Sequence, residues 1–269
     1  MKITCKESFA KEQILYVKAD GEICGAMRIH PNSYTFRKNI NILFLKVKTD
    51  INGTIAIGKP VSGGREFFIN CCNQALVVPN IVEEKTALDC TNNVFGSMFG
   101  KNFKDFAGVG KLQEGKIGQK INNSTGMKDY LEKRLKDQFG DKYKGYTVLY
   151  FIGEQANWNG FSNYGWKTCI QFSTHNKATI AHETIHSLFL PHTFASVSKN
   201  GGIAKYTYEA TKTNNLMDYS HIAKPPIERF SLFIWQWTVL NMYIRFSSYS
   251  CNACYHKSIE QFIFKISPI

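Results

Sequence analysis

Short apolar runs broken by Gly, Pro and Asn dominate the first third of this chain, and longer runs with helical spacing appear later. Ile14-Leu15-Tyr16-Val17, Ile23 to Ile29 and Ile40 to Val47 read as strands, with turn signals between them at Asp20-Gly21 and Pro31-Asn32-Ser33. These are too few to close a sandwich of about seven strands. Residues 1–60 are therefore expected to form a small β-rich N-terminal module with a targeting, docking or autoinhibitory role. Residues 51–66, which carry Gly53, Gly58, Pro60, Gly63 and Gly64, read as its linker.

Beyond the linker, Gln74 to Pro79 reads as a strand, and residues 81–120 give no clear period. Met127, Tyr130, Leu131, Leu135 and Phe139 recur at helical spacing, with Ser124 or Thr125 as a start signal and Gly140 as a stop. Tyr146 to Ile152 is nearly all apolar, as a buried central strand should be. A loop rich in Gly, Asn and Trp over 157–166 leads to an alternating strand, Thr168 to Thr174. A helix over 178–189, a long loop over 193–212 and an apolar helix from Ile227 to Arg245 follow, the last introduced by Pro225-Pro226.

Composition narrows the picture without naming a function. Of 269 residues, 43% are hydrophobic and 14% aromatic, enough to build a core and to exclude wholesale disorder. The formal net charge of +12 admits contact with an anionic surface or cell-wall polymer, but no block concentrates it and no nucleic-acid motif appears, so a plain lysine-dominated surface is the expected reading. The eight cysteines, Cys5, Cys24, Cys71, Cys72, Cys90, Cys169, Cys251 and Cys254, form no recognisable disulfide framework. Cys251, Cys254 and His256 supply only part of the four ligands a structural zinc needs, and a tail disulfide or plain thiols fit them better. The most apolar stretch, Phe230 to Phe246, is interrupted by Ser231, Gln236, Asn241 and Arg245, and no segment reaches the ~20 apolar residues of a membrane span.

The candidate chemistry lies in Ala181-His182-Glu183-Thr184-Ile185-His186-Ser187-Leu188-Phe189-Leu190-Pro191-His192. On a helix, His182 and His186 project from one face, so that both imidazoles can share one Zn2+ at about 2.0–2.1 Å. Glu183 is placed to take a proton from a zinc-bound water. His192 lies beyond Pro191 and must return from a turn. Three protein ligands leave a fourth position open, the mark of a catalytic rather than a structural zinc. Given this protein's His and Glu frequencies, the long spacing is expected by chance roughly once in 4,000 such sequences.

Downstream, Thr213-Asn214-Asn215-Leu216-Met217-Asp218-Tyr219 encloses one Met in a polar turn. With the long zinc motif, this turn resembles the Met-turn of the metzincin zinc endopeptidases. The resemblance implies an α/β (α+β) catalytic domain over 67–245, with a mixed twisted sheet and a zinc helix, followed by a tail over 246–269. It implies His182, His186 and His192 as ligands, Glu183 as general base and Met217 as the apolar floor. Tyr219 matches a tyrosine that some branches use at the metal or in the transition state. By the same resemblance, Ile170, Gln171, Phe172 and Ser173 form the cleft edge that pairs with substrate backbone.

One position departs from the family pattern: Phe189 stands where a Gly is usual, at a turn that favours positive φ. Either the helix runs longer before His192 returns, or another residue, Glu209 foremost, supplies the third ligand. A propeptide cysteine on the metal, as in some metzincins, would here be Cys5 or Cys24, although neither has the expected flanks.

Taken together, the expectation is a zinc metallopeptidase acting on a protein or peptide, with a zinc-bound but inactive binding module as the alternative. A cell-wall amidase, in the setting of a delivered effector or toxin, is the other. Met1 to Glu7 lacks the apolar segment of a secretory signal, so the resemblance to an exported family implies either a sequence that begins after processing or export by a leaderless or specialised route.

Overall fold

The computed structural model describes residues 7–51, 54–91, 126–156, 158–195 and 206–247. Cys5, Cys251, Cys254 and His256 lie outside the described residues. β1 (Gln13–Ala19) and β2 (Glu22–Ile29) form an antiparallel hairpin. Its turn is Asp20-Gly21, both at positive φ, which matches the right-handed twist of the flanking strands. Among the described residues the two strands pair only with each other, forming a sheet of their own.

β3 (Lys38–Ile51) departs from the expected N-terminal module. It runs through the main sheet, parallel to β5 (Val77–Glu83) and β6 (Leu88–Asp89) on one side and to β7 (Thr147–Ile152) on the other. β4 (Thr54–Ile57) folds back antiparallel on its end. The strand is placed there by what it buries. Ile42 and Phe44 face one core, while Leu43, Leu45 and Val47 face the other. A strand buried on both faces belongs inside a sheet covered on both sides. The expected linker likewise gives way to structure, because α1 (Gly64–Gln74) begins within it.

The sheet runs β4-β3-β7-β9-β8, where β8 is Gly160–Ser162 and β9 is Thr168–Gln171. β7 is buried along its whole length, as its apolar run predicts. Its Leu149 and Phe151 join the core shared with α1, α3 (Lys177–Ser187) and α4 (Ile234–Ser247). Its Val148, Tyr150 and Ile152 join the core beneath α2 (Gly126–Phe139). This is a mixed α/β architecture with helices on both sheet faces. α4 starts later than Ile227 and continues past the expected boundary at 245. Among the described residues no helix is long and apolar enough to cross a membrane.

Candidate metal centre

α3 is fixed at both ends by local chemistry. At its start, Asn176 Oδ1 accepts the Thr179 N–H at 2.9 Å while the Thr179 hydroxyl accepts the Asn176 N–H, a reciprocal cap. Just ahead of it, His175 Nε2 accepts the Val61 N–H at 3.1 Å, and its Nδ1–H donates to Phe172 O. At its end, Phe189 N–H donates to His186 O and Leu190 N–H donates to Ile185 O. This is the double C-terminal closure that needs a left-handed residue after the cap. Phe189 itself supplies that conformation, at φ 71°.

The Phe189 departure therefore resolves in neither of the two expected ways. The helix stops on time, and the bulky residue accepts the strained backbone region. Its ring stacks on Tyr243, with centroids 4.4 Å apart and planes 8° apart. The other side is open because residue 165 is Gly; a Cβ there would meet a Phe189 ring carbon at 2.3 Å. A left-handed non-Gly residue costs on the order of 1 kcal/mol, which aromatic packing of this kind can offset.

With the turn closed, His192 comes back over the helix. Its Nε2 lies 2.8 Å from His186 Nε2 and 3.3 Å from His182 Nε2, and the latter two are 3.1 Å apart. His182 Nδ1 faces Leu216 O at 2.8 Å, and His186 Nδ1 faces Leu190 O at 2.7 Å. A carbonyl can only accept, so both Nδ1 atoms carry the proton and both Nε2 atoms present lone pairs. Lone pairs this close repel one another unless a cation lies between them. A tetrahedral ion with nitrogens at 2.0–2.1 Å would hold them roughly 3.3 Å apart, close to the distances seen. The three histidines thus form a group that can hold a metal ion. Burial, then the neighbouring imidazoles, hold His182 well below the ordinary histidine range, and burial lowers His192 to about 4. Burial likewise holds His186 well below the ordinary range, and a neutral imidazole is the form that can bind a metal. Glu209, the substitute ligand, is instead an exposed residue near Lys212.

The turn from Thr213 to Tyr219 abuts this group. Leu216 O receives His182, and Met217 O accepts the Thr193 N–H at 3.2 Å, next to the third histidine. Met217 is fully buried in the core that also contains Ile180 and Ile185. Tyr219 packs its ring 4.7 Å from that of His192. Burial is the main cause pushing Glu183 up to about 8, opposed by Arg229 and by the Ser162 backbone amide.

These groups open onto a cleft of about 500 Å³, whose wall includes Trp158, Phe161, Ser162 and His221. The expected edge strand is corrected here. Ile170 pairs with Tyr150 on one side and Phe161 on the other, and Gln171 likewise lies between Phe151 and Gly160. Ile170 and Gln171 thus have a strand on each side and no free edge for substrate backbone, Phe172 is buried with its N–H on Asn159 O, and Ser173 is exposed with its N–H on Glu154 O. The sheet edge beside the cleft is β8, which is too short for an alternating pattern to reveal. Arg229, from the segment after Pro226, is a further cleft residue that no motif announces. Cys24 is exposed on the hairpin, donates to Val17 O and does not line the cleft. Cys71, Cys72, Cys90 and Cys169 are buried free thiols. No family model matches this sequence, and no curated protein or solved structure does.

Proposed function

We propose that the protein is a zinc-dependent metallopeptidase of the metzincin kind. The observation that supports this most is the convergence of three Nε2 atoms on one point in an open cleft, with Glu183 beside them. Nitrogen-only donors suit zinc, copper, iron or nickel, and three ligands with an open side favour catalytic zinc among these. Zinc held there supplies Lewis acidity to the scissile carbonyl, acidifies water, and by its charge favours the ionised form of Glu183.

The protein's own residues do the rest. Glu183 takes the proton of the attacking water on its carboxylate and returns it to the leaving amine. Leu216 O and Leu190 O keep His182 and His186 in the tautomer that presents Nε2. Tyr219 stands at the cleft wall, where its hydroxyl is available to a developing oxyanion. The exposed side of β8, Gly160–Ser162, receives substrate backbone as an added strand. Against the inactive-module alternative, Phe189 turns towards Tyr243, and none of the described residues of β1 and β2 line the cleft.

The test uses the full-length protein. Elemental analysis is expected to find about one zinc per molecule, with cleavage of a peptide library at neutral pH abolished by chelator. Glu183→Gln should keep the metal and lower kcat by about a thousandfold. Turnover retained in that variant removes Glu183 from its role, and an inert, metal-loaded wild type removes the peptidase reading.

A further inference from the structure

Arg229 is only 4% exposed, yet it lines the cleft together with Glu183 and the three histidines. Its Nη1 donates to Asp218 O at 2.8 Å and lies 3.4 Å from His182 Nδ1, which places it one imidazole away from the metal ligands' shared point. That imidazole Nδ1 already donates to Leu216 O and cannot accept from it. The Arg229 Nε is buried without a partner. Only one of five guanidinium donors therefore meets an acceptor among the described residues.

Neither acidic neighbour neutralises the charge. The Asp218 carboxylate is committed to the Thr211, Thr213 and Tyr219 amides and the Thr213 hydroxyl, and only its backbone carbonyl touches Arg229. Glu183 acts on the guanidinium through space without forming an ion pair. His192, His221 and Tyr219, the other titratable groups nearby, offer no carboxylate. A buried, unpaired guanidinium is costly to keep unless something brings it a counter-charge. Its planar fork fits a carboxylate in bidentate fashion.

We propose that Arg229 binds a carboxylate of the substrate, so that the cleft selects peptides carrying negative charge close to the scissile bond. This specificity rests on the peptidase reading. The carboxylate has two sources, an acidic residue flanking the bond or the free C-terminus of the substrate peptide.

The experiment compares matched peptides on the zinc-loaded, full-length protein: Glu against Gln at each flanking position, and free against amidated C-termini. The preferred charged peptide should have a kcat/KM about 30-fold above its neutral partner, and the pair showing the difference identifies the source. Arg229→Gln should bring the two to parity by slowing the charged peptide only, and Arg229→Lys should keep part of the preference. Equal slowing of charged and neutral peptides would mark an oxyanion or structural role and overturn the proposal. Absence of any charge preference in the wild type would overturn it whatever the variants do.

A second readout needs no turnover. Calorimetric titration with acetyl-glutamate amide and with acetyl-glycine should show binding of one of them to the wild type and its loss in Arg229→Gln. Such binding without any peptide cleavage leaves the carboxylate site standing and the peptidase reading refuted. Cleavage without charge preference does the reverse.

Discussion

The hairpin of β1 and β2 and the turn from Thr213 to Tyr219 meet their polar needs in different ways. The hairpin has a ladder of backbone bonds along both strands, with one register shift between Val17 and Lys18, but Ile14, Tyr16, Val17, Ile23 and Met27 remain exposed. Just after β2, the His30 ring sets its edge against Trp237, with centroids 6.3 Å apart. The turn has almost no ladder, yet Asn215, Leu216, Met217 and Asp218 are all fully buried. Side chains do the work that a ladder does elsewhere. Asn215 Oδ1 accepts the Met217 N–H, its Nδ2 donates to Gln236 on α4, and Asp218 gathers three amides and a hydroxyl. The backbone groups of the turn beside the candidate metal centre are thus met by side-chain acceptors, while the capped helix α3 carries His182 and His186.

Asp218 is where this contrast breaks most sharply. Asp218→Ala leaves the Thr211, Thr213 and Tyr219 amides without their acceptor in a buried place, with an expected loss of about 3–5 kcal/mol in denaturant unfolding. Burial pushes the Asp218 carboxyl up, but its hydrogen bonds from Thr213 and Thr211 outweigh this and hold it below the ordinary aspartate range. A depressed carboxyl stabilises the fold above its unfolded value and loses that contribution as pH falls through the folded one. The wild type should therefore weaken on acidification through and below the ordinary aspartate range, and the Ala variant should show less of that slope. An Ala variant as stable as the wild type would show that the turn is held by packing alone.

These two regions were unequally legible in the sequence. His182 and His186 could be read from spacing because a helix enforces it, and β7 from its apolar run because burial on both faces leaves no alternation. β3 reads correctly as a strand, but alternation does not say which sheet a strand joins; partners 30 or more residues away, such as Val77 and Thr147, decide that. α1 is hidden by Gly63-Gly64, which reads as linker, although Gly64 packs closely against the end of the Ile180 side chain on α3. Arg229 has no local signature, since its position depends on Asp218 and on His182, 47 residues away. At Phe189 the motif raised the right question, and the answer came from Gly165 and Tyr243, which no spacing rule connects to it.

Phe189 sharpens the comparison at intermediate magnitude, because there a ring stack opposes backbone strain. Phe189→Ala removes the stack on Tyr243 and keeps a Cβ at φ 71°, with an expected loss of about 2–3 kcal/mol. Phe189→Gly removes the stack and the strain together, so it should be the more stable of the two by about 1 kcal/mol. Thermal unfolding of the pair reads the sign directly. An Ala variant more stable than the Gly variant would mean that the left-handed backbone at 189 carries no strain. Both variants should retain metal, since the closure from Leu190 to Ile185 does not involve the ring.

The smallest effect belongs to the hairpin. Ile14→Thr and Ile23→Thr keep β-branched residues on exposed strand positions and remove apolar surface that faces water. Each should change unfolding free energy by no more than about 0.5 kcal/mol and leave metal content untouched. The contrast with Asp218 is then roughly tenfold for single substitutions, in the direction opposite to the regularity of the backbone. A loss of more than about 2 kcal/mol at Ile14 or Ile23 would require these residues to be buried in the folded protein. The hairpin would then be a packed part of the body, and the distinction between its ladder and the saturated turn would no longer hold.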